Sequence, residues 1–304
     1  LSMTSGGDFG IATNGSATGS DGSSAGLKLT LTNCSLQNTI NSKSGTVGIY
    51  FPVYNGTLTI DNSQITQFDM GIQAISGSTT IKGDQTEITG SGRAIGNDSG
   101  DGPRFDGAAL SVLDREGYGD LATVKIEAGS FSTPADSDYG AVHVSGFKGN
   151  QFTDDFDNNA DGTQIVQVSG GTFTSSVKEY VTSDLKAELY SAGSGTYTYY
   201  STSEAANADA KPGDAVSSVT STRNHKVTVV YDNGMDNQTF TVGGNATYIL
   251  PAAPTWPGYA FLGWLSSANN QTYQAGDTVT ISGNTTFTAQ WAYIPPVITN
   301  PSYA

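Results

Sequence analysis

One eight-residue pattern constrains this chain more than any other feature. "LTLTNCSL" (29–36), "LTIDNSQI" (58–65), "VKIEAGSF" (124–131) and "VQVSGGTF" (166–173) each place apolar residues at positions 1, 3 and 8, with a small or polar tetrapeptide before the last. "TTIKGDQTEI" (79–88) joins them if its turn carries two extra residues. A second motif alternates with the first: Gly10-Ile11, Gly48-Ile49, Gly71-Ile72, Gly107-Ala108 and Gly140-Ala141-Val142, with Ala94-Ile95 as a further copy. Short alternating strands joined by Gly, Asn and Ser corners are what a stacked solenoid requires, because each turn buries its apolar residues only against the turn below.

The expected fold class is therefore all-β: a short right-handed parallel β-helix of about five coils over residues 1–190, closed by a helical cap. In that stack Leu31, Ile60, Ile81, Ile126 and Val168 form one inward column, and Leu36, Ile65, Ile88, Phe131 and Phe173 another. Five coils at the ~4.8 Å strand spacing give a prism only ~24 Å long, whose ends need covering. The cap is assigned to "SSVKEYV" (175–181), where Ser176 and Glu179 have capping-box spacing, opening a helix through about Leu189. The competing reading is a β-sandwich with irregular hairpins; the near-constant spacing within the motif argues against it.

Composition agrees with a β-rich chain. Only 13% of the 304 residues are charged and 38 are glycine, unlike helical proteins rich in Ala, Leu, Glu and Lys. The formal charge of −15 repels phosphate backbones and anionic lipid surfaces, so nucleic acid is not an expected partner. The single cysteine, Cys34, rules out an internal disulfide framework and a Cys-rich zinc site. It falls in the turn tetrapeptide, aligned with Ser63, as a small turn residue. No long apolar run is present, so no membrane insertion is expected. Low charge, abundant Thr, Asn and Gly and no disulfides fit a bacterial exported protein, with any signal or anchor outside this stretch.

Residues 191–224 read as a capping strand, near Tyr197–Tyr200, and a linker with a helical turn at Glu204–Ala208. Beyond them "KVTVVYDNG" (226–234) and "TTFTAQW" (285–291) alternate as half-buried strands. Between lies "PTWPGYAFLGW" (254–264), which holds two of the three tryptophans. A domain of ~70 residues without disulfide or metal needs large aromatic payloads. Tyr259, Phe261, Trp264 and Trp291 are therefore expected in its core, while Trp256, between Pro254 and Pro257, reads equally as core or as an exposed platform. These stretches resemble the internalin B repeat, also called the Listeria-Bacteroides repeat, with its V-x-F-x-x-N/D-G strand, PGY-x-F-x-GW core and closing A-x-W strand. The resemblance covers about 225–292 and implies a β-grasp-like domain of bacterial surface proteins, placed at 225–293 with a tail at 294–304. "SGGTFTSSVKEYV" also resembles coil ends in surface proteins of gut Firmicutes.

Candidate chemistry lies in the insertions that leave the coils at 12–28, 113–123 and 145–163. The last two are expected to emerge side by side, where solenoids usually bind. They supply Tyr118, Phe147, Phe152 and Phe156 as stacking surfaces, together with Arg115. "DDFDNNADG" (154–162) places Asp155, Asp157, Asn159 and Asp161 at alternate positions, a spacing that can wrap calcium; it departs from an EF-hand at Ala160 and Val166, and a solvated Asn/Asp/Gly turn is the reading preferred over it. No cofactor is otherwise required.

Polysaccharide-degrading β-helix enzymes use either two carboxylates or a basic residue beside a bound uronate. Asp154 and Asp155 could serve the first. For the second, no motif selects among Arg93, Arg104, Arg115 and Lys125. His143 and His225 stand without partners in the sequence, and His143, alternating with Val142 and Val144, is expected to be solvated. The expectation is thus a non-catalytic, monomeric cell-surface ectodomain, an adhesin or glycan-binding module whose partner is a host or environmental glycan or glycoprotein. A polysaccharide lyase or glycoside hydrolase and a structural spacer are the alternatives.

Overall fold

A computed structural model of the chain describes residues 2–5, 8–13, 26–39, 45–95, 106–115, 118, 121–148, 151–153, 164–221 and 223–296. Over these residues it is all-β, with one short α-helix among them, Ser203–Asp209, whose first turn is capped by Thr202 Oγ1 accepting from Ala205 N at 3.1 Å. Two compact units divide the chain: Leu1–Leu185 with Thr196–Tyr199, and Lys186–Gly195 with Tyr200–Ala304.

In the first unit both octapeptide columns stand in the register read from the sequence. Leu31 pairs with Ile60, Ile60 with Ile81, Ile81 with Ile126 and Ile126 with Val168, always in parallel. Leu36, Ile65, Ile88, Phe131 and Phe173 follow the same order in a separate parallel ladder. All ten side chains are buried, each worth about 1.5–3 kcal/mol of transfer free energy. The phenyl rings of Phe131 and Phe173 stack at 5.1 Å and 14°. The tetrapeptides form their own row: Cys34 N donates to Ser63 Oγ at 3.0 Å, and Ser63 N donates to Thr86 Oγ1 at 3.4 Å. Cys34 is thus a small turn residue.

The second motif stacks as well, with a correction. Ile11 pairs with Ile49 and Ile49 with Ile72, but the next partners are Leu110 and Val142. The small residues before them, Gly10, Gly48, Gly71, Ala109 and Ala141, make the column, not Gly107 and Gly140. Backbone bonds fix this register, since Ile72 N donates to Ala109 O and Leu110 N to Ala141 O. Steric crowding explains the small side chains: a Cβ on Gly71 would lie 2.4 Å from Ala109 O and 2.4 Å from Ile88 Cγ2. Ala94-Ile95 does not join the column; Ala94 N bonds Asp138 Oδ2, and Ile95 packs elsewhere.

The expected capping helix is absent. Only a 3-10 turn, Lys178–Tyr180, forms, with no side-chain cap at Val177, and Ala187–Ser191 is a strand. The ladder outcompetes the local helix signal: Val181 bridges Val168 in parallel and Thr182 N donates to Val168 O at 2.9 Å. Strand Thr196–Tyr200, expected from the sequence, pairs antiparallel with Thr172–Phe173.

The second unit contains an antiparallel run of Ala187–Ser191, Ala215–Ser218, Ala246–Ile249 and Thr278–Ile281. Its other sheet has the order Gln238–Gly243, Asn224–Val230, Thr285–Tyr293, Tyr259–Ser266, Thr272–Tyr273, parallel only between Asn224–Val230 and Thr285–Tyr293. Part of the segment expected as linker therefore belongs to this unit: Ala215 lies in its core, and Tyr190, just before that segment, stacks on Phe240 at 4.3 Å. "DAVSS" has too few apolar residues to announce a strand.

The aromatic stretch is mainly architecture. Trp264 is fully buried and donates its Nε1 proton to Pro251 O at 3.0 Å, with Phe261 packed against its ring. Trp291 is half-buried and donates to Tyr231 O. Trp256 is half-buried and stacks on Tyr259 at 4.2 Å, across a turn in which Gly258 takes φ 81°. The Gly of the GW pair has a steric reason: Gly263 sits at a bulge with φ 139°, and a Cβ there would meet Thr272 Cγ2 at 2.5 Å.

The stacking account makes a direct demand on stability. Gly71→Ala should destabilise the first unit by at least about 2 kcal/mol in chemical denaturation; an unchanged midpoint would mean that this row of backbones is not closely stacked.

Candidate functional site

The two long insertions begin as neighbours. Strand Val142–Lys148 runs parallel to Leu110–Arg115 with Leu113 opposite Ser145, Asp114 opposite Gly146 and Arg115 opposite Phe147. The chain then turns back, and Gln151–Thr153 pairs antiparallel with Gly146–Lys148, placing Phe152 opposite Phe147.

Strand alternation assigns the sides. Tyr50, Gln73, Ser111 and His143 form one row across the sheet and share a face with Leu113, Ser145, Arg115 and Phe147, while Val112 and Val144 point to the opposite face. The face carrying the row is covered: Val47, Tyr50, Met70, Ile75, Leu113 and Phe147 form a buried cluster, against which Phe9, Ile95 and Tyr118 pack.

Arg115, Tyr118 and Phe147 are brought together at the edge of this cluster. Arg115 Nη1 donates to the Tyr118 hydroxyl at 3.2 Å, and its guanidinium carbon lies 5.2 Å from the Tyr118 ring centre and 6.0 Å from that of Phe147. Arg115 and Tyr118 are half-buried. Phe147, only 6% exposed, is a wall of the site and not the open stacking surface expected of it. Burial pushes the Tyr50 hydroxyl pKa well above its ordinary value, the neighbouring Tyr118 adds to the rise and Arg115 opposes it. Tyr50 therefore keeps its proton and stays a neutral donor. Among the described residues no carboxylate lies within ion-pair distance of Arg115. Phe156, Asp155, Asp157, Asn159 and Asp161 fall outside the described residues, as does the side chain of Phe152.

A second polar group on this face was not legible in the sequence. Asp106, 1% exposed, receives the Ala108 backbone N–H at 3.1 Å, the Ser111 hydroxyl at 2.9 Å and, at 2.7 Å, Nδ1 of His143. With the Asp106 oxygen as acceptor, Nδ1 carries the proton of the neutral imidazole and Nε2 is the unprotonated ring nitrogen. The Tyr139 ring lies 4.7 Å from the imidazole. His143 does point to the side of the sheet away from Val142 and Val144, but that side is occupied, so its side chain is 17% exposed and partnered where a solvated residue was expected. Once Leu110 and Val142 are aligned, Ser111 and His143 become row-mates, and that alignment is the signal that would have found them.

On the opposite face Val112, Asp114, Leu121, Ala122, Val144 and Ile165 line a crevice of about 150 Å³. That space is open to solvent, with no enclosed volume to set against the roughly 300–1,000 Å³ of small-molecule pockets, so this crevice does not enclose a sugar. Among the described residues no three His, Cys, Asp or Glu side chains come together as metal ligands, and no helix is long and apolar enough to cross a membrane.

No curated protein and no solved structure matches the chain. Its last domain does find relatives: residues 225–290 match the family model of the Listeria-Bacteroides repeat domain, so this segment is a repeat of a kind typical of bacterial surface proteins.

Proposed function

We propose that the chain is a non-catalytic ectodomain of a bacterial cell-surface protein, a short right-handed parallel β-helix followed by one β-grasp-like internalin-B-type repeat, acting as a monomeric adhesin or glycan-binding module. The observation that carries this reading is the meeting of Arg115, Tyr118 and Phe147 where two insertions leave adjacent turns of a stacked framework. A half-exposed Tyr118 ring beside a guanidinium, with Phe147 as the buried wall behind them, suits a sugar ring, which offers a flat apolar face and a rim of hydroxyls. The repeat match supports the cell-surface placement. The gut Firmicutes resemblance of the coil ends agrees with an environment rich in host and dietary glycans, and a calcium ion held by Asp155, Asp157, Asn159 and Asp161 belongs to the same proposal.

The His143–Asp106 pair favours a second reading, a polysaccharide lyase or hydrolase, because a carboxylate-oriented imidazole is a common general base. A glycan array read beside an activity screen separates the two. Retention on specific glycans, with no reducing ends or unsaturated uronates released from pectins and mucins, is the expected result. Product release that His143→Ala abolishes would replace the adhesin with an enzyme, and silence on both would leave a spacer. Calcium should raise the thermal midpoint, an effect lost in Asp155→Ala/Asp157→Ala; a midpoint indifferent to chelator removes the ion.

A further inference from the structure

We propose that Arg115 receives the carboxylate of an acidic sugar, so that the ligand of the insertion face is an anionic glycan, one bearing sialic or uronic acid. The inference rests on the glycan-binding reading above and specifies it.

The chain holds 28 acidic residues against 13 Lys and Arg. In such a sequence a guanidinium can easily be given a carboxylate, and a half-buried one normally is, because removing an arginine from water without a counter-charge is costly. Arg115 is half-buried and, among the described residues, has no carboxylate within ion-pair distance but the Tyr118 and Phe147 rings beside it and the Tyr118 hydroxyl as acceptor. A guanidinium has five N–H donors in a planar fork matched to a carboxylate. Among the described residues only the phenols of Tyr118 and Tyr50 engage that fork, which leaves further N–H donors for a ligand. The Tyr118 oxygen accepts from Arg115, and the Tyr50 hydroxyl, which burial keeps neutral, interacts with both Tyr118 and the same guanidinium, so two phenols stand beside the cation. Cation and phenols together make a receptor for a planar anion. The stacked strands fix its position, since Arg115 is in register with Phe147.

The net charge of −15 does not oppose this. At physiological ionic strength charges farther than about 8 Å are largely screened, so the contact at Arg115 decides recognition.

The test uses probe pairs that differ mainly in the carboxylate: sialyllactose against lactose, and oligogalacturonate against its methyl ester. Each is measured by biolayer interferometry on the whole chain. At least one acidic probe should bind about tenfold or more tightly than its neutral partner, as expected for a charge-assisted bidentate bond. Arg115→Gln should erase that preference, and Arg115→Lys, which keeps the charge without the fork, should retain only part of it. Tyr118→Phe should weaken the acidic probe several-fold. Thermal midpoints report folding of each variant, and Arg115→Lys keeps the test valid if Arg115→Gln is unstable. Equal binding of acidic and neutral probes, or an acid preference unchanged in Arg115→Gln, overturns the carboxylate assignment while leaving a glycan-binding surface. Absence of binding to these probes and to every glycan on an array overturns both.

Discussion

Parallel strands stacked in register are the constraint on which the first unit depends. Each strand presents the same pattern to the strand beside it, so a slip of one residue would turn every buried side chain to the other face. The Ile60–Ile81–Ile126 and Ile65–Ile88–Phe131 columns supply the apolar surface. The row of Gly48, Gly71 and Ala109 supplies the closeness, because a larger side chain at Gly71 would collide with a neighbouring carbonyl and with Ile88. Neither works alone, since the columns meet only if the backbones between them can approach.

That framework also explains how residues distant in sequence become one surface. Arg115 and Phe147 adjoin because Leu110 and Val142 are stacked, and Asp106 reaches His143 across 37 residues for the same reason. Insertions can vary in length and chemistry without disturbing the columns, since they leave from corners.

What could be read from the sequence follows the same division. The two octapeptide columns were legible because the 1, 3, 8 spacing recurs with its register intact, and Trp264 was legible because a small domain without cross-links needs such a side chain inside. The Ala109 and Ala141 alignment was not, since Gly and Ala both satisfy a small-residue site and Gly107 and Gly140 lie close by. The helix expected from Ser176 and Glu179 failed because a local cap is worth about 1 kcal/mol, less than extending a ladder through Thr182. Asp106 and His143 were invisible for another reason: nothing in either neighbourhood marks a partner that only coil register supplies. Arg115 and Phe147 were legible together because their insertions leave neighbouring strands, and the register sets them opposite each other, though with Phe147 buried.

Cys34 offers the most direct measurement of the central claim, because its backbone already bonds the hydroxyl of Ser63 on the next turn. Adjacent residues of neighbouring parallel strands fall within the 4.4–6.8 Å Cα separation that a disulfide spans, an order-of-magnitude match to ideal strand spacing. Under mild oxidation Ser63→Cys should form an intramolecular bond with Cys34, titrating no free thiol in the folded monomer and raising its stability. Two thiols that remain free in the folded chain, or that cross-link only between molecules, would show that these turns do not lie one upon the other.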